Sequence, residues 1–368
     1  MSNTLFTLIT SHAHLEEVTH DLLTSPPPFI ALDTEFTRQT TYWPHLCLLQ
    51  LKARNTIWLI DPLSENLKLD LLKPLLLDKK IPKIMHAASQ DQECFRYLWK
   101  QPLPHVFDTQ VAAMLTSPVQ MPSYQALVET HLQITLPKTH QRFDWSKRPL
   151  PLETLRYAAN DVSYLDALYH ILTSTLKHMK RLPWMDQEMK EIARLKNDPL
   201  QNAFTKIRFW SQKIKTPQAF EALNYLAEWR ETQAIDENKL RKDILPDDWL
   251  LSLAHAPQKA HKNAIKTFLT QHPCLAHTLH TLHQQPDHMC ARPPCNKRLS
   301  EAQKTHLKQL KQEALQAAEH LRIHPTLLIT QKQLSALARG QALYDVVHTP
   351  WRQHILKRYK SFKNTIGI

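Results

Sequence analysis

Asp33 and Glu35 stand one residue apart at the end of a short apolar run, Phe29-Ile30-Ala31-Leu32. Pro26, Pro27 and Pro28 precede the run and keep a helix from entering it, so the stretch reads as a strand. Side chains alternate faces along a strand, which turns both carboxylates the same way. Two like charges at that spacing repel unless a cation lies between them, and hard divalent cations such as Mg²⁺ take oxygen ligands of this kind. An isolated Asp-X-Glu is also how a solvated strand end looks, so its weight depends on other acids joining it.

Two further acids are placed to do so. Asp91 falls in the first turn of a helix expected over Ser89 to Trp99, where unpaired amides favour a carboxylate. Tyr157 and Asp161 lie four apart in a helical pattern running from Leu152 to about Lys180, and so share one face. The apolar stripe of that helix is Leu155, Ala158, Ala159, Val162 and Leu165. Asp161 lies beside this stripe rather than opposite it, an odd place for a merely solvated acid. Tyr157 taken singly reads as a core or rim aromatic.

The elements around these residues alternate between the two regular periods. A strand and a short helix around His14 to Leu23 open the chain, and strand-like runs follow at His45 to Leu51 and Thr56 to Ile60. Leu67 to Leu77 is apolar at helical spacing. Pro82 to His86 and Val106 to Phe107 are short strands, each followed by a helix, the second over Thr109 to Leu115. This order predicts an α/β domain, a mixed sheet with helices on its faces, without fixing the strand order.

The totals exclude other chemistries. The 368 residues contain only two glycines, Gly340 and Gly367, so glycine-rich phosphate cradles and dinucleotide-binding turns are ruled out, and no nucleotide cofactor is expected. No apolar run reaches the length of a membrane span, and the first residues lack a signal peptide's basic start. Five cysteines without framework spacing point to a reducing, cytoplasmic setting. Residues 1–200 hold 21 basic and 21 acidic residues, whereas residues 201–368 hold 25 and 13, so the whole excess charge of +12 lies in the second part. A basic appendage on a neutral body suits a polyanionic partner.

Asp33-X-Glu35, Asp91 and Tyr157-X-X-X-Asp161, in that order, resemble the three exonuclease motifs of the DEDD superfamily in its tyrosine-containing branch. The contexts are similar to those of ribonuclease D. They are Leu32 to Phe36 with Arg38, Thr41-Tyr42-Trp43-Pro44 and Leu49-Gln50-Leu51; then Met85 to Asp91 with Phe107-Asp108-Thr109-Gln110; then Asp144 to Leu150 running into Tyr157 to Val162. The resemblance covers about residues 25–180. It implies a ribonuclease H-like exonuclease domain over residues 1–200 that degrades RNA from the 3′ end with two divalent cations, Mg²⁺ or Mn²⁺. By position, Asp33 would bridge both ions, Glu35 and Asp161 would complete the coordination of the first ion, Asp91 would hold the second, and Tyr157 would orient the attacking water. Phe36, Tyr42 and His86, inside the same motifs, are the expected substrate contacts. The implied substrate is RNA with a free 3′ end, tRNA precursors above all.

Residues 211–283 read as helical and resemble the HRDC module. Residues 299–360, helical and strongly basic, are expected to form a second HRDC-like domain, so the C-terminal half is all-α. Arg352, Lys357, Arg358, Lys360 and Lys363, with Trp351 and Tyr359 among them, could grip phosphates and stack on bases. His283, His288, Cys290 and Cys295 match no standard zinc spacing. Two rival readings are a DNA 3′→5′ exonuclease and a catalytically silent RNA-binding protein.

Overall fold

A computed structural model describes residues 5–136, 143–196, 200, 203–207, 210–255, 263–291 and 299–365. Six strands form one sheet: β1 (Thr7–Ile9), β2 (Ile30–Thr37), β3 (His45–Ala53), β4 (Thr56–Ile60), β5 (Lys83–Met85) and β6 (Val106–Asp108), in the order β1-β4-β3-β2-β5-β6. β3 runs antiparallel to β2 and β4, whereas β1 on β4, β5 on β2 and β6 on β5 are parallel pairs. The sheet is therefore mixed, as the element order requires. Helices α1 (His12–Thr24), α2 (Lys73–Leu76), α3 (Asp91–Trp99), α4 (Thr109–Thr116), α5 (Tyr124–Leu132), α6 (Leu152–Ser163), α7 (Leu165–His178) and α8 (Leu182–Lys196) complete this region.

The period-two pattern of β2 divides two cores. Ile30 and Leu32 join Leu15, Leu22, Phe95 and Trp99 of α1 and α3 in one buried cluster. Ala31 joins Ala112, Ala158, Val162 and Leu168 of α4, α6 and α7 in the other. Asp33 and Glu35 continue the odd-numbered row towards α6, which packs on β2, β3 and β4.

Two expected helices are broken. Leu67 to Leu77 splits into a 3₁₀ turn, Leu69–Leu72, and α2, with Pro74 in the first turn of α2. Proline lacks the N–H that would carry the earlier ladder through, so the helix restarts there. The pattern from Leu152 to Lys180 breaks at Tyr164, between α6 and α7. There the Tyr124 hydroxyl donates to the Asn160 carbonyl (3.0 Å) and accepts from the Tyr164 amide (3.0 Å). A side chain inserted into the i→i−4 ladder bends a helix. Lys52 Nζ takes the Ser163 carbonyl at 2.5 Å and pairs with Asp166 at 2.8 Å, securing the other side of the bend.

The described regular elements after α8 are all helical. α9 (Trp210–Lys213), α10 (Pro217–Asp236), α11 (Arg241–Ile244), α12 (Asp247–His255), α13 (Asn263–Gln271) and α14 (Pro273–Gln284) belong to one compact unit, with Leu223, Leu226, Leu250 and Leu279 in its core. The described parts of residues 38–43 and 196–298 make up this unit. α15 (Glu301–Leu321), α16 (Pro325–Leu328), α17 (Gln331–Ala338), α18 (Leu343–Val346), α19 (Pro350–Leu356) and α20 (Lys360–Lys363) belong instead to the unit that holds the sheet. Leu310, Trp351 and Phe362 share a buried cluster with Leu168, Leu172 and Met185.

This placement corrects the reading of the terminal aromatic and basic cluster. Trp351 is 4% exposed and stacks on Trp184 of α8, ring centroids 4.4 Å apart. Its indole N–H donates to Glu188 at 2.6 Å, and Arg352 binds the same carboxylate through Nε and Nη2. Trp351 and Arg352 face inward because Glu188, 163 and 164 residues back, is buried at 3% exposure and needs both donors. Lys357, Arg358, Lys360 and Lys363 stay exposed. Glu188→Ala strands the Trp351 indole N–H and the Arg352 guanidinium, at a cost of about 3–5 kcal/mol. Urea unfolding should show that loss, and Lys357→Ala should leave the midpoint within about 0.5 kcal/mol of the parent.

Candidate active site

The end of β2 presents the first two acids. The β2–β3 register pairs Asp33 with Gln50 and Glu35 with Leu48, then shifts between Glu35 and Phe36. A bulge bends the strand just past the second carboxylate. From α6, Asp161 completes a cluster in which carboxylate oxygens of Asp33, Glu35 and Asp161 lie within 4.8 Å of one another. All three are half-buried. It is the one group of three or more potential metal ligands among the described residues. Cys295 of the histidine–cysteine set lies outside them.

Asp91 is the first residue of α3 and is 6% exposed. The hydroxyl of Thr34, between Asp33 and Glu35, donates to Asp91 Oδ1 at 2.5 Å. Thr34 points to the opposite sheet face from its neighbours, so one strand segment fixes acids on both sides. Tyr157 shares a side-chain hydrogen bond with Asp161, one turn along α6.

The electrostatics follow from crowding acids in a partly dry site. Burial and then the charges of Asp91, Asp161 and Glu35 push Asp33 well above the usual carboxylate range. Burial, then Asp161 and Asp91, raise Glu35 to about 9. Burial raises Asp161 to about 8 against the lowering bond from Tyr157, and raises Asp91 to about 6 against the bond from Thr34. Tyr157 is raised by burial and then by Asp161, Glu35 and Asp33, so its phenol stays protonated near neutral pH. Among the described residues, no cationic side chain stands among the groups that shift these acids. The oxygen-only donor set suits a hard divalent ion that would replace those protons. Gln50, cross-strand from Asp33 and fully buried, adds an amide whose two polar atoms have no partner among the described residues.

Several residues of the motif contexts, given no role of their own in the sequence, support the site. Asp108 caps α4, and its carboxylate accepts from the amides of Ala87, Ala88, Gln110 and Val111 at 2.8–3.4 Å. It thereby holds the turn that leads into Asp91, where Ala87 sits at φ 53°. Arg148 grips Asp61 with two nitrogens, each at 2.6 Å, and the carbonyls of Cys47 and Trp145. Trp145, 3% exposed, lies 6.3 Å from the Tyr157 ring, centroid to centroid. Helix α5, unread in the sequence, brings Tyr124 under the α6–α7 bend.

Each of the three expected substrate contacts has neighbours of its own in the structure. His86 is held neutral, its pKa lowered to about 4 by burial, with Nδ1 2.9 Å from Thr109 Oγ1. Phe36, past the bulge, packs against the cluster of α1 and α3. Tyr42 lies in the segment 38–43 that groups with the helical unit. Its hydroxyl donates to Glu231 at 2.5 Å, and Arg241 lies 4.9 Å over its ring.

Residues 6–177 match a family model described as a 3′-5′ exonuclease. Ribonuclease D of Xanthomonas oryzae pv. oryzae is 30% identical over 352 residues, covering 94% of this chain and 95% of that protein. Ribonuclease D of Bartonella henselae is 37% identical over 254 residues, covering 68% of this chain and 61% of that protein. The chain thus spans less than two thirds of the Bartonella protein and nearly all of the Xanthomonas one. The fold is that of the crystal structure of Escherichia coli ribonuclease D, an exoribonuclease involved in structured RNA processing. Those two chains superpose with a TM-score of 0.78 at 24% identity, covering 96% of this chain and 99% of that one. On an exonuclease fold, an acidic cluster such as that of Asp33, Glu35 and Asp161 points to divalent-metal use. Matched almost end to end by a relative at 30% identity, this chain belongs to the ribonuclease D family.

Proposed function

We infer that this protein is a metal-dependent 3′→5′ exoribonuclease, removing nucleotides from a free RNA 3′ end as nucleoside 5′-monophosphates. The observation that carries the reading is the meeting of Asp33, Glu35 and Asp161 within 4.8 Å. Asp33, Glu35, Asp91 and Asp161 would hold two divalent cations, Mg²⁺ or Mn²⁺. Such ions supply charge stabilisation at phosphorus and lower the pKa of a bound water.

The chain's own groups supply position. Thr34 fixes Asp91, Tyr157 fixes Asp161, and the bulge after Glu35 sets the angle of its carboxylate. Water attacks the last phosphodiester phosphorus. A P–O bond forms as the P–O3′ bond breaks, and the departing O3′ takes up a proton. The shortened RNA keeps a 3′-hydroxyl, and the phosphate leaves on the terminal nucleoside. Tyr157, protonated near neutral pH, orients the water through its hydroxyl rather than accepting its proton. By the family resemblance, Phe36, Tyr42 and His86 would contact the terminal nucleotides.

Structured RNAs such as tRNA precursors are the favoured substrates, and the helical regions 211–283 and 299–360 are read as HRDC-type modules that hold them. The cytoplasm is the favoured compartment. Replacing exposed Lys357, Arg358, Lys360 and Lys363 with alanine should weaken binding to any RNA sequence. It should also flatten log Kd against log salt by about 0.7 for each phosphate that is no longer neutralised. Filter binding from low to physiological salt measures both.

The test is a 5′-end-labelled RNA incubated with Mg²⁺ or with EDTA. A one-nucleotide ladder with Mg²⁺ alone, blocked by a 3′-phosphate, supports the reading. RNA bound but never shortened would favour a silent binding protein. A matched DNA strand degraded faster than RNA would favour the DNA exonuclease.

A further inference from the structure

We propose that Tyr124 is a positioning residue of the carboxylate site, its hydroxyl holding open the α6–α7 bend that keeps Asp161 turned towards Asp33 and Glu35. The proposal rests on the nuclease reading and adds a residue outside the acidic motifs. The pattern from Leu152 to Lys180 favours one continuous helix, in which the Tyr164 amide would donate to the Asn160 carbonyl, four residues back. In the structure both groups reach the Tyr124 oxygen instead, each at 3.0 Å, and the Tyr164 amide also donates to the Val162 carbonyl. One hydroxyl has replaced one rung of the ladder.

Three features show that this wedge is built for the site and not for the helix alone. Tyr124 is 6% exposed on α5, which Ser123 caps through the Ala126 amide. Its position is therefore set independently of α6. The bond to Asn160 falls on the residue next to Asp161, so any shift of the bend is passed directly to that carboxylate. The charges of Asp161 and Asp33 both act on the Tyr124 phenol, so it lies within their electrostatic reach. His86 flanks it, ring centroids 5.8 Å apart. Without the hydroxyl the two backbone groups can bond to each other, and the last turn of α6 straightens towards α7.

Full-length Tyr124→Phe and Tyr124→Leu proteins, stripped of metal, are titrated with Mn²⁺ by isothermal calorimetry and melted in EDTA. Turnover of end-labelled RNA is followed across Mn²⁺ concentrations. Removing a residue that orients a ligand typically lowers metal affinity 10–100-fold. Tyr124→Phe should therefore bind Mn²⁺ about tenfold more weakly, with a melting temperature in EDTA close to the parent's. Its kcat should fall at limiting Mn²⁺ and recover at excess, while KM for RNA stays within about twofold. Parent-like Mn²⁺ affinity in Tyr124→Phe would overturn the proposal, and a lowered melting temperature in either variant would then assign Tyr124 to packing alone. Parent protein that binds no Mn²⁺ would overturn the nuclease reading, and this proposal with it.

Discussion

Asp33→Asn and Asp161→Asn should each leave end-labelled RNA intact, at rates at least about 10³-fold below the parent. Each loses ligand charge worth several kcal/mol at the transition state, and every 1.4 kcal/mol is tenfold in rate. The same substitutions should stabilise the metal-stripped protein. Like charges in one partly dry pocket oppose folding, and an amide removes one of them. Stripped Asp161→Asn should melt on the order of 5 °C above stripped parent at pH 8. With Mn²⁺ the order should reverse, because only the parent gains the binding energy.

The pH dependence of the stripped parent follows from the raised carboxylates. Asp91 at about 6, Asp161 at about 8 and Glu35 at about 9 all exceed ordinary values of about 4. Their protonation therefore contributes stability that is complete below about pH 4 and is lost as pH climbs through those three values. Melting temperature in EDTA should fall from pH 5 to pH 9, and saturating Mg²⁺ should flatten the fall. A flat profile in EDTA would mean the acids do not share a pocket.

The second large effect concerns residues 299–368. A chain ending at residue 298 should aggregate or melt at least about 10 °C below the parent. The charge pattern alone suggests a detachable basic arm whose loss changes only RNA binding. The structure instead places α15–α20 in one unit with the sheet, joined by the Trp184–Trp351 stack and by Glu188. Arg181 of the same region also donates to the Leu321 carbonyl at 2.6 Å. Each tryptophan buries about 150–250 Å², so at about 25 cal/mol/Å² the stack alone contributes several kcal/mol. That is a large share of a total stability of about 5–15 kcal/mol. Circular dichroism melts of the two proteins compare them directly. A truncated protein that melts with the parent and degrades short RNA would restore the detachable arm.

What the sequence made legible was local. Asp33 and Glu35 could be set on one face because the strand period is two, and Asp91 could be set at a helix start because a short strand leads into it. The apolar stripe of α6 placed Asp161 beside the core. The bend after Ser163 was not legible, because its cause is a hydroxyl on Tyr124, some forty residues upstream on a helix with little apolar signal of its own. Trp351 and Arg352 read as surface groups among basic neighbours, because the acid that draws them inward lies far back in the chain. The break at Pro74, by contrast, was written in the residue itself. The order β1-β4-β3-β2-β5-β6 depends on pairings that no single strand encodes.

The proposed nuclease action requires carboxylates from β2, α3 and α6 to hold divalent cations where RNA would be cut. Crystals grown with Mn²⁺ and measured for its anomalous scattering test this most directly. Anomalous peaks should appear bounded by Asp33, Glu35 and Asp161, with Asp91 at the edge of the same density, and should vanish in Asp33→Asn. Mn²⁺ bound elsewhere, with that pocket empty in a protein that still shortens RNA, would contradict the two-metal site.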